Sequence, residues 1–297
     1  MAEPENTFQE TRMTLGEHLE ELRKRLFRSV LAIAIVFGFA WWFKEDLAQR
    51  VMWPWRDAVA RINQELVVRF EDELKAHPEI PRSTYFRTED VSSKDLRDPI
   101  DARLTAFSIG DSFFFSLNIS LYFSAIIAGP FVLWQLWQFI AAGLYPHERR
   151  MVHVYFPFSL MLFLAGVAFC YLWVVPTGMY FLAITLPTEQ VHTVMGLEKY
   201  FDFLSTLCLA MGAMFQLPII MIFLSSMGLI EPQTYSKYRG HFLVIALIIA
   251  AIVTPGPDWI SQVLMTIPMY VLYEVGILIA YWRARPRRKP KSDGTIS

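Results

Sequence analysis

Apolar residues in this chain fall into long blocks separated by polar turns. A helix rises ~1.5 Å per residue and needs roughly 20 residues to cross about 30 Å of hydrocarbon. Blocks near 26–43, 113–144, 152–175, 200–229 and 263–282 are of that order. Between the last two, 242–253 supplies 12 apolar residues before Thr254-Pro255-Gly256-Pro257-Asp258 stops it, enough for about 18 Å of helix. The pattern predicts an all-α membrane protein with six transmembrane helices, the fifth short and the bilayer beside it thinned. Pro130, Pro157, Pro218 and Pro268 fall within four of these spans. Each removes a backbone donor and crowds the preceding turn, which predicts bends whose freed carbonyls neighbouring helices satisfy.

Ahead of the first span, Thr14-Leu15-Gly16-Glu17 fits a capping box that starts a helix near residue 14. Leu15, Leu19, Leu22 and Leu26 recur at helical spacing, with Glu17, Glu20, Lys24 and Arg25 elsewhere on the wheel. That is an amphipathic interfacial helix running into the span, whose far end carries Trp41-Trp42 at headgroup depth. Residues 44–112 are polar, with 11 Lys/Arg and 14 Asp/Glu, and read as a long hydrophilic loop outside the bilayer. A short helix is suggested at 66–74, but Pro78, Pro81 and Pro99 interrupt the segment and no fold is assigned to it.

Composition agrees with a membrane protein: 54% of residues are hydrophobic and mean hydropathy is +0.34. A net charge of −1, with basic residues at chain ends and turns, excludes a nucleic-acid face. Basic residues precede the first span (Arg12, Arg23, Lys24, Arg25, Arg28), fill the even turns (Arg149, Arg150, Lys237, Arg239) and follow the last span (Arg283 to Lys291). The two short odd turns hold only Lys199. The positive-inside rule then predicts both termini on the cytoplasmic side, the first loop being too long to count. Met1 to Arg12 lack the pattern of a cleavable leader, so the first block is expected to stay as an anchor. Cys170 and Cys208 lie in apolar blocks and read as buried thiols. Phosphate loops, metal-ligand clusters and nucleophile triads are absent, so neither an enzyme, a cofactor nor a metal is expected.

Candidate chemistry lies at the cytoplasmic mouth. Glu21 precedes Arg25 by four residues and Glu20 precedes Lys24 likewise, spacing that helix pairing alone explains. Glu148, two residues after Pro146, sits where a helix dipole favours a carboxylate. As a pair, Glu21 and Glu148 can receive two guanidinium forks. Within the spans Glu274 is the one clear carboxylate, with Gln216, Thr254, Ser261 and Gln262 as polar companions. An ionisable group in hydrocarbon signals function, a structural bond to a neighbouring helix being the alternative. Bent helices and Glu274 also suit a proton-coupled secondary transporter, although spans one to three and four to six show no inverted repeat. A purely structural membrane scaffold is a further rival.

Four motifs, in order, then become specific: His18-Leu19-Glu20-Glu21-Leu22-Arg23-Lys24-Arg25; Leu133-Trp134-Gln135-Leu136-Trp137-Gln138-Phe139 on to Tyr145-Pro146-His147-Glu148-Arg149-Arg150; Phe215-Gln216-Leu217-Pro218; and Thr254-Pro255-Gly256-Pro257-Asp258 on to Ser261-Gln262. Together they resemble the TatC family over about residues 13–283. The resemblance implies a twin-arginine translocase subunit of the bacterial cytoplasmic (inner) membrane. It implies binding of twin-arginine signal peptides on folded cargo, and export driven by the proton-motive force within an oligomeric complex. It matches Glu21 and Glu148 to signal-binding carboxylates, Arg23 and Phe139 to positions shaping that site, and Pro54, Tyr171 and Asp258 to transport or folding positions. Thr254 with Gln262 matches the docking site of single-span subunits of the TatA/TatB type. Membrane lipids are implied partners. The expected organisation is a polar cytoplasmic tail (1–13), a six-span domain (14–283) and a basic cytoplasmic tail (284–297), with a periplasmic loop at 44–112 carrying an insertion near 63–94. Many members carry Glu where this chain has Gln216, an amide that does not titrate.

Overall fold

The computed structural model describes residues 15–76, 102–108, 110–145, 148–185, 195–254 and 259–283. Among them every regular element is helical. Helix α1 (Leu15–Trp42) is unbroken for 28 residues, so the amphipathic stretch and the first span are one rod. Glu17 stands in its first turn, and Thr14, the other half of the capping box, lies outside the described residues. There follow α2 (Lys44–Val51), α3 (Trp53–Ala76), α4 (Asp111–Ala142), α5 (Arg149–Phe169) and, beyond a π turn at Cys170–Val174, α6 (Val175–Thr185). The chain closes with α7 (Leu197–Met214), α8 (Leu217–Ser226), α9 (Pro232–Lys237), α10 (Arg239–Val253) and α11 (Trp259–Arg283). Among the described residues five runs are long and apolar enough to cross a membrane: Gly16–Trp42, Asp111–Ala142, Arg149–Leu182, Leu197–Ser226 and Ser261–Arg283. Each matches a block expected from hydropathy, apart from α1's added interfacial turns. The apolar α10, at 15 residues, is too short to count among them.

Prolines act unequally. Pro130, Pro157 and Pro268 lie inside continuous helices. Pro218 follows a break at Phe215 and Gln216 that separates α7 from α8. Pro176, not singled out by the hydropathy reading, follows the π turn, where the Val175 N–H reaches back to the Cys170 carbonyl. A proline ring crowds the carbonyl four residues earlier, and a widened turn gives it room.

The segment after α1 departs most from expectation, because α2 and α3 make 44–76 largely helical. Val51, Trp55, Ala58, Val59 and Ile62 recur at helical spacing and are all at most 3% exposed. This stripe packs down on the bundle. Trp55 Nε1 donates to the Ala102 carbonyl at 3.1 Å, Tyr200 Oη to the Val51 carbonyl at 2.5 Å, and Tyr180 Oη to the Glu65 carboxylate at 2.8 Å. A parallel bridge clips Thr105 to Gly196, with Thr105 N–H on the Met195 carbonyl and Leu197 N–H on the Thr105 carbonyl, both at 3.0 Å. Residues 63–76, the start of the expected insertion, continue α3, and Glu65 ties them to α6.

Contacts also sort the helix ends. His18 of α1 stacks on Phe139 of α4, Arg283 of α11 lies 5.2 Å over the Tyr155 ring of α5, and Tyr155 Oη bonds Ser226 of α8 at 2.7 Å. One end of the bundle thus gathers the start of α1 and the end of α11, and α2 with α3 cap the other.

Helices α5 and α7 touch closely. A Cβ on Gly166 would lie 2.8 Å from the Met211 carbonyl and 2.7 Å from Phe215 Cγ, whereas one on Gly38 of α1 meets nothing within 4 Å. Gly166→Ala is therefore expected to destabilise the protein by about 1–3 kcal/mol through overpacking. Gly38→Ala is expected to be neutral or to stabilise it by up to about 1 kcal/mol through helix propensity. Thermal midpoints of both variants in one detergent check the contrast.

Candidate functional site

The end of the bundle that gathers α1, α4 and α5 holds the first candidate carboxylates. On α1, Arg25 Nε and Nη2 both donate to Glu21 Oε1, at 2.6 and 2.5 Å, while Nη1 donates across to Gln135 Oε1 of α4 at 3.1 Å. The i,i+4 pair expected from spacing is present, but it is more than a surface pair: both side chains are only 20% exposed and Gln135 is buried. Charge-assisted bonds at such a site hold their geometry better than exposed ones. One turn earlier on α1, His18 stacks on Phe139 with ring centroids 4.3 Å apart and planes inclined by 23°. Glu148 stands at the N-terminal boundary of α5, half-buried, and its Oε2 accepts the Tyr145 N–H at 3.3 Å, closing the turn from α4. Pro146 and His147 lie outside the described residues.

Arg23 is placed differently from its expected neighbours. Its side chain is 83% exposed and pairs with Glu20 at 3.8 Å, on the same side as Lys24 at 3.8 Å from that carboxylate. The structure therefore brings Glu21, Phe139 and Glu148 to one end, with Arg23 on the outer face of α1. Sequence reasoning assigned no role to His18 or Gln135. An amide inside an apolar helix was the available signal for Gln135.

Deeper in the bundle, Gln216 closes the break between α7 and α8. Trp137 Nε1 donates to Ser159 Oγ at 2.9 Å, Ser159 Oγ to Gln216 Oε1 at 2.5 Å, and Gln216 Nε2 to the Ser159 carbonyl at 2.9 Å. Glu274 is not isolated in hydrocarbon: Arg239, the first residue of α10, pairs with it at 3.1 Å. Nearby, Tyr273 Oη donates to the Tyr235 carbonyl at 2.8 Å and Tyr235 Oη to the Met221 carbonyl at 3.2 Å. Burial, followed by the adjacent Tyr273 phenol, pushes the Tyr235 phenol above its ordinary range and keeps it a neutral donor.

The remaining candidates lie elsewhere. Thr254 Oγ1 donates to the Ala250 carbonyl at 2.8 Å, which also accepts the Thr254 N–H, and Gln262 Nε2 donates to the Leu247 carbonyl at 2.9 Å, tying α11 to α10. Tyr171 lies at the capped end, with Oη on the Arg50 carbonyl at 2.5 Å and its ring 5.8 Å from Trp53. Pro54 is buried in the first turn of α3, where a proline lacks no needed donor. Asp258 lies outside the described residues. Among the described residues no group of three or more His, Cys, Asp or Glu is placed to hold a metal ion.

Comparison with known proteins gives one family. The profile of TatC, the Sec-independent protein translocase protein, matches residues 17–268. TatCy of Bacillus subtilis is 31% identical over 281 residues, covering 95% of this chain and 93% of that one. TatC of Escherichia coli K12 is 32% identical over 263 residues, covering 89% of this chain and 86% of its own. A crystal structure of a twin arginine translocase receptor, TatC, superposes with a TM-score of 0.64 at 31% identity, covering 91% of this chain and all of that one.

Substitutions at Ser159 and Glu274 test the polar contacts. Ser159→Ala strands Trp137 Nε1 and Gln216 Oε1 together and is expected to cost about 1–3 kcal/mol of stability, seen as a lowered unfolding midpoint. For Glu274, whose side chain is 31% exposed against 48% for Arg239, a double-mutant cycle with Arg239 is expected to give a coupling of only about 0.2–1 kcal/mol. Glu274→Lys, which sets two cations face to face, is expected to destabilise clearly more than Glu274→Gln in the same unfolding measurement.

Proposed function

This chain belongs to the TatC family of Sec-independent protein translocase proteins, a non-enzymatic transport component, and on that premise we propose that it is the signal-peptide receptor of a twin-arginine translocase. Consecutive arginines of the peptide bind at Glu21 and Glu148, with Phe139 and His18 as the wall between them and Arg23 on the rim. The observation that carries this reading is the pair itself: Glu21 already holds one guanidinium, that of Arg25, through two donors at 2.5 and 2.6 Å. An incoming arginine binds by taking over or sharing that carboxylate. Arg25, still held by Gln135 at 3.1 Å, acts as the internal stand-in.

The orientation we infer is six spans with both termini cytoplasmic, in the bacterial inner membrane. Support comes from the clustering of Arg23, Lys24, Arg25, Arg28, Arg149, Arg150 and Arg283 at the end where α1 begins and α11 stops. In this reading α10 is the short fifth span, and α2 with α3 form a periplasmic cap. Single-span partner subunits of the TatA/TatB type dock beside Thr254 and Gln262, where α10 turns Val244, Ile245, Ile248 and Ile252 outward, each more than 50% exposed. The complex exports folded cargo using the proton-motive force. Gln216 carries no proton in it, being an amide. A proton-coupled small-solute transporter rested on Glu274, which the Arg239 pair accounts for structurally.

Glu21→Gln and Glu148→Gln are each expected to weaken binding of a twin-arginine peptide by about 1.5–3 kcal/mol, roughly ten- to over a hundredfold. Titration of the peptide against full-length protein in nanodiscs at fixed salt measures this. Wild-type affinity in both variants, with folding intact, overturns the assignment.

A further inference from the structure

A sizeable opening lies at the opposite end from Glu21, and the function proposed above does not use it. It is a cavity of about 960 Å³ between α2, the start of α3, α4 and the α5–π segment. Its chemistry is divided. Asp46, Arg50 and Arg56 line it from α2 and the start of α3, whereas Ile126 from α4 and Leu164 and Leu172 from the third span make an apolar wall, the two leucines 43% and 50% exposed. None of the three charged side chains makes an ion pair with another described residue. All three are exposed, and together they leave one net positive charge beside an apolar slot.

The frame of this cavity is held in place. Tyr171 Oη anchors the Arg50 carbonyl, its ring lies against Trp53, and the π turn places Tyr171 and Leu172, adjacent in sequence, both on the lining. Wide turns of this kind recur at functional sites. Depth fits as well: Trp42, Trp53 and Trp173 are 85%, 42% and 71% exposed around this end, and Lys44 sits 4.6 Å over the Trp41 ring. Exposed tryptophans and snorkelling cations mark the level of lipid headgroups. Two guanidiniums on one cavity at headgroup level suit a phosphate, and an apolar wall that continues onto the exposed face of the third span suits an acyl chain.

We propose that this cavity binds one anionic glycerophospholipid of the leaflet opposite the Glu21 end, its phosphate on Arg50 and Arg56 and one acyl chain along Ile126, Leu164 and Leu172. The site rests on these residues alone, so it stands or falls separately from signal-peptide recognition.

Delipidated full-length protein, titrated with phosphatidylglycerol and read by native mass spectrometry, tests it. Wild type is expected to hold one tightly bound lipid. Arg50→Gln/Arg56→Gln is expected to weaken it at least about tenfold, and Ile126→Trp, which crowds the apolar wall and leaves the charges, is expected to do the same. Inorganic phosphate at equal concentration is expected not to compete, which separates a lipid from a free phosphate. Both variants must keep wild-type affinity for a twin-arginine peptide, which shows that they fold. Unchanged lipid binding in either variant, competition by inorganic phosphate, or displacement of the lipid by the signal peptide overturns the proposal.

Discussion

Hydrocarbon supplies no hydrogen bonds, so each backbone group freed by a helix break or helix end inside the bundle must find a partner in the protein. That requirement is met most directly at the end of α2, where the Arg50 and Val51 carbonyls are taken by Tyr171 and Tyr200. Polar side chains inside the bundle likewise pair with one another or with backbone on neighbouring helices: beside the α7–α8 break, Gln216 and Ser159 bond each other and Ser159 receives the Trp137 indole, and Gln262 of α11 adds a donor to the Leu247 carbonyl of α10. These contacts tie the broken and turning helices to their neighbours and fix the positions of what is built on them.

Polar groups so engaged are structural by their contacts. Seen against them, the arrangement of Glu21, Arg25 and Gln135 differs in kind, because no helix break demands it: α1 and α4 are both continuous there. A carboxylate, a guanidinium and an amide are joined across two helices at the rim of the bundle, beside the His18–Phe139 stack and the turn that Glu148 closes. In the proposed reading, an internal arginine holds the Glu21 carboxylate in one orientation while no ligand is present. It also sets a threshold, since an isolated cation must displace a chelated one, whereas two linked arginines can engage Glu148 at the same time and gain from proximity. This is a physical reason for a receptor of this design to favour paired over single arginines.

Hydropathy alone marked the long spans, because block length and hydrocarbon thickness determine each other. It also marked α10 as short, and Glu21–Arg25 as an i,i+4 pair. It failed at 44–76, where Val51, Trp55, Ala58, Val59 and Ile62 form an apolar stripe diluted by charges on the other faces, so that mean polarity concealed the periodicity. The partners of Glu274 and Arg25 on other helices were hidden for another reason. Arg239 and Gln135 are 35 and 110 residues away along the chain, and only helix packing brings them into contact. Likewise Arg23 shares a motif with Glu21 yet points off the site, since residues two apart on a helix face different directions.

Site-specific photocrosslinking most directly tests the claim that paired arginines are read at this end of the bundle. A photoreactive residue placed at Gln138, beside Phe139, is compared with one at Trp173 near the capped end, each challenged with a twin-arginine signal peptide and with its twin-lysine counterpart. The account predicts strong crosslinking from position 138 to the twin-arginine peptide, loss of it with twin lysine, and only background for the arginine motif at position 173. Equal crosslinking of both peptides at position 138, or capture of the arginine motif at position 173, would contradict it.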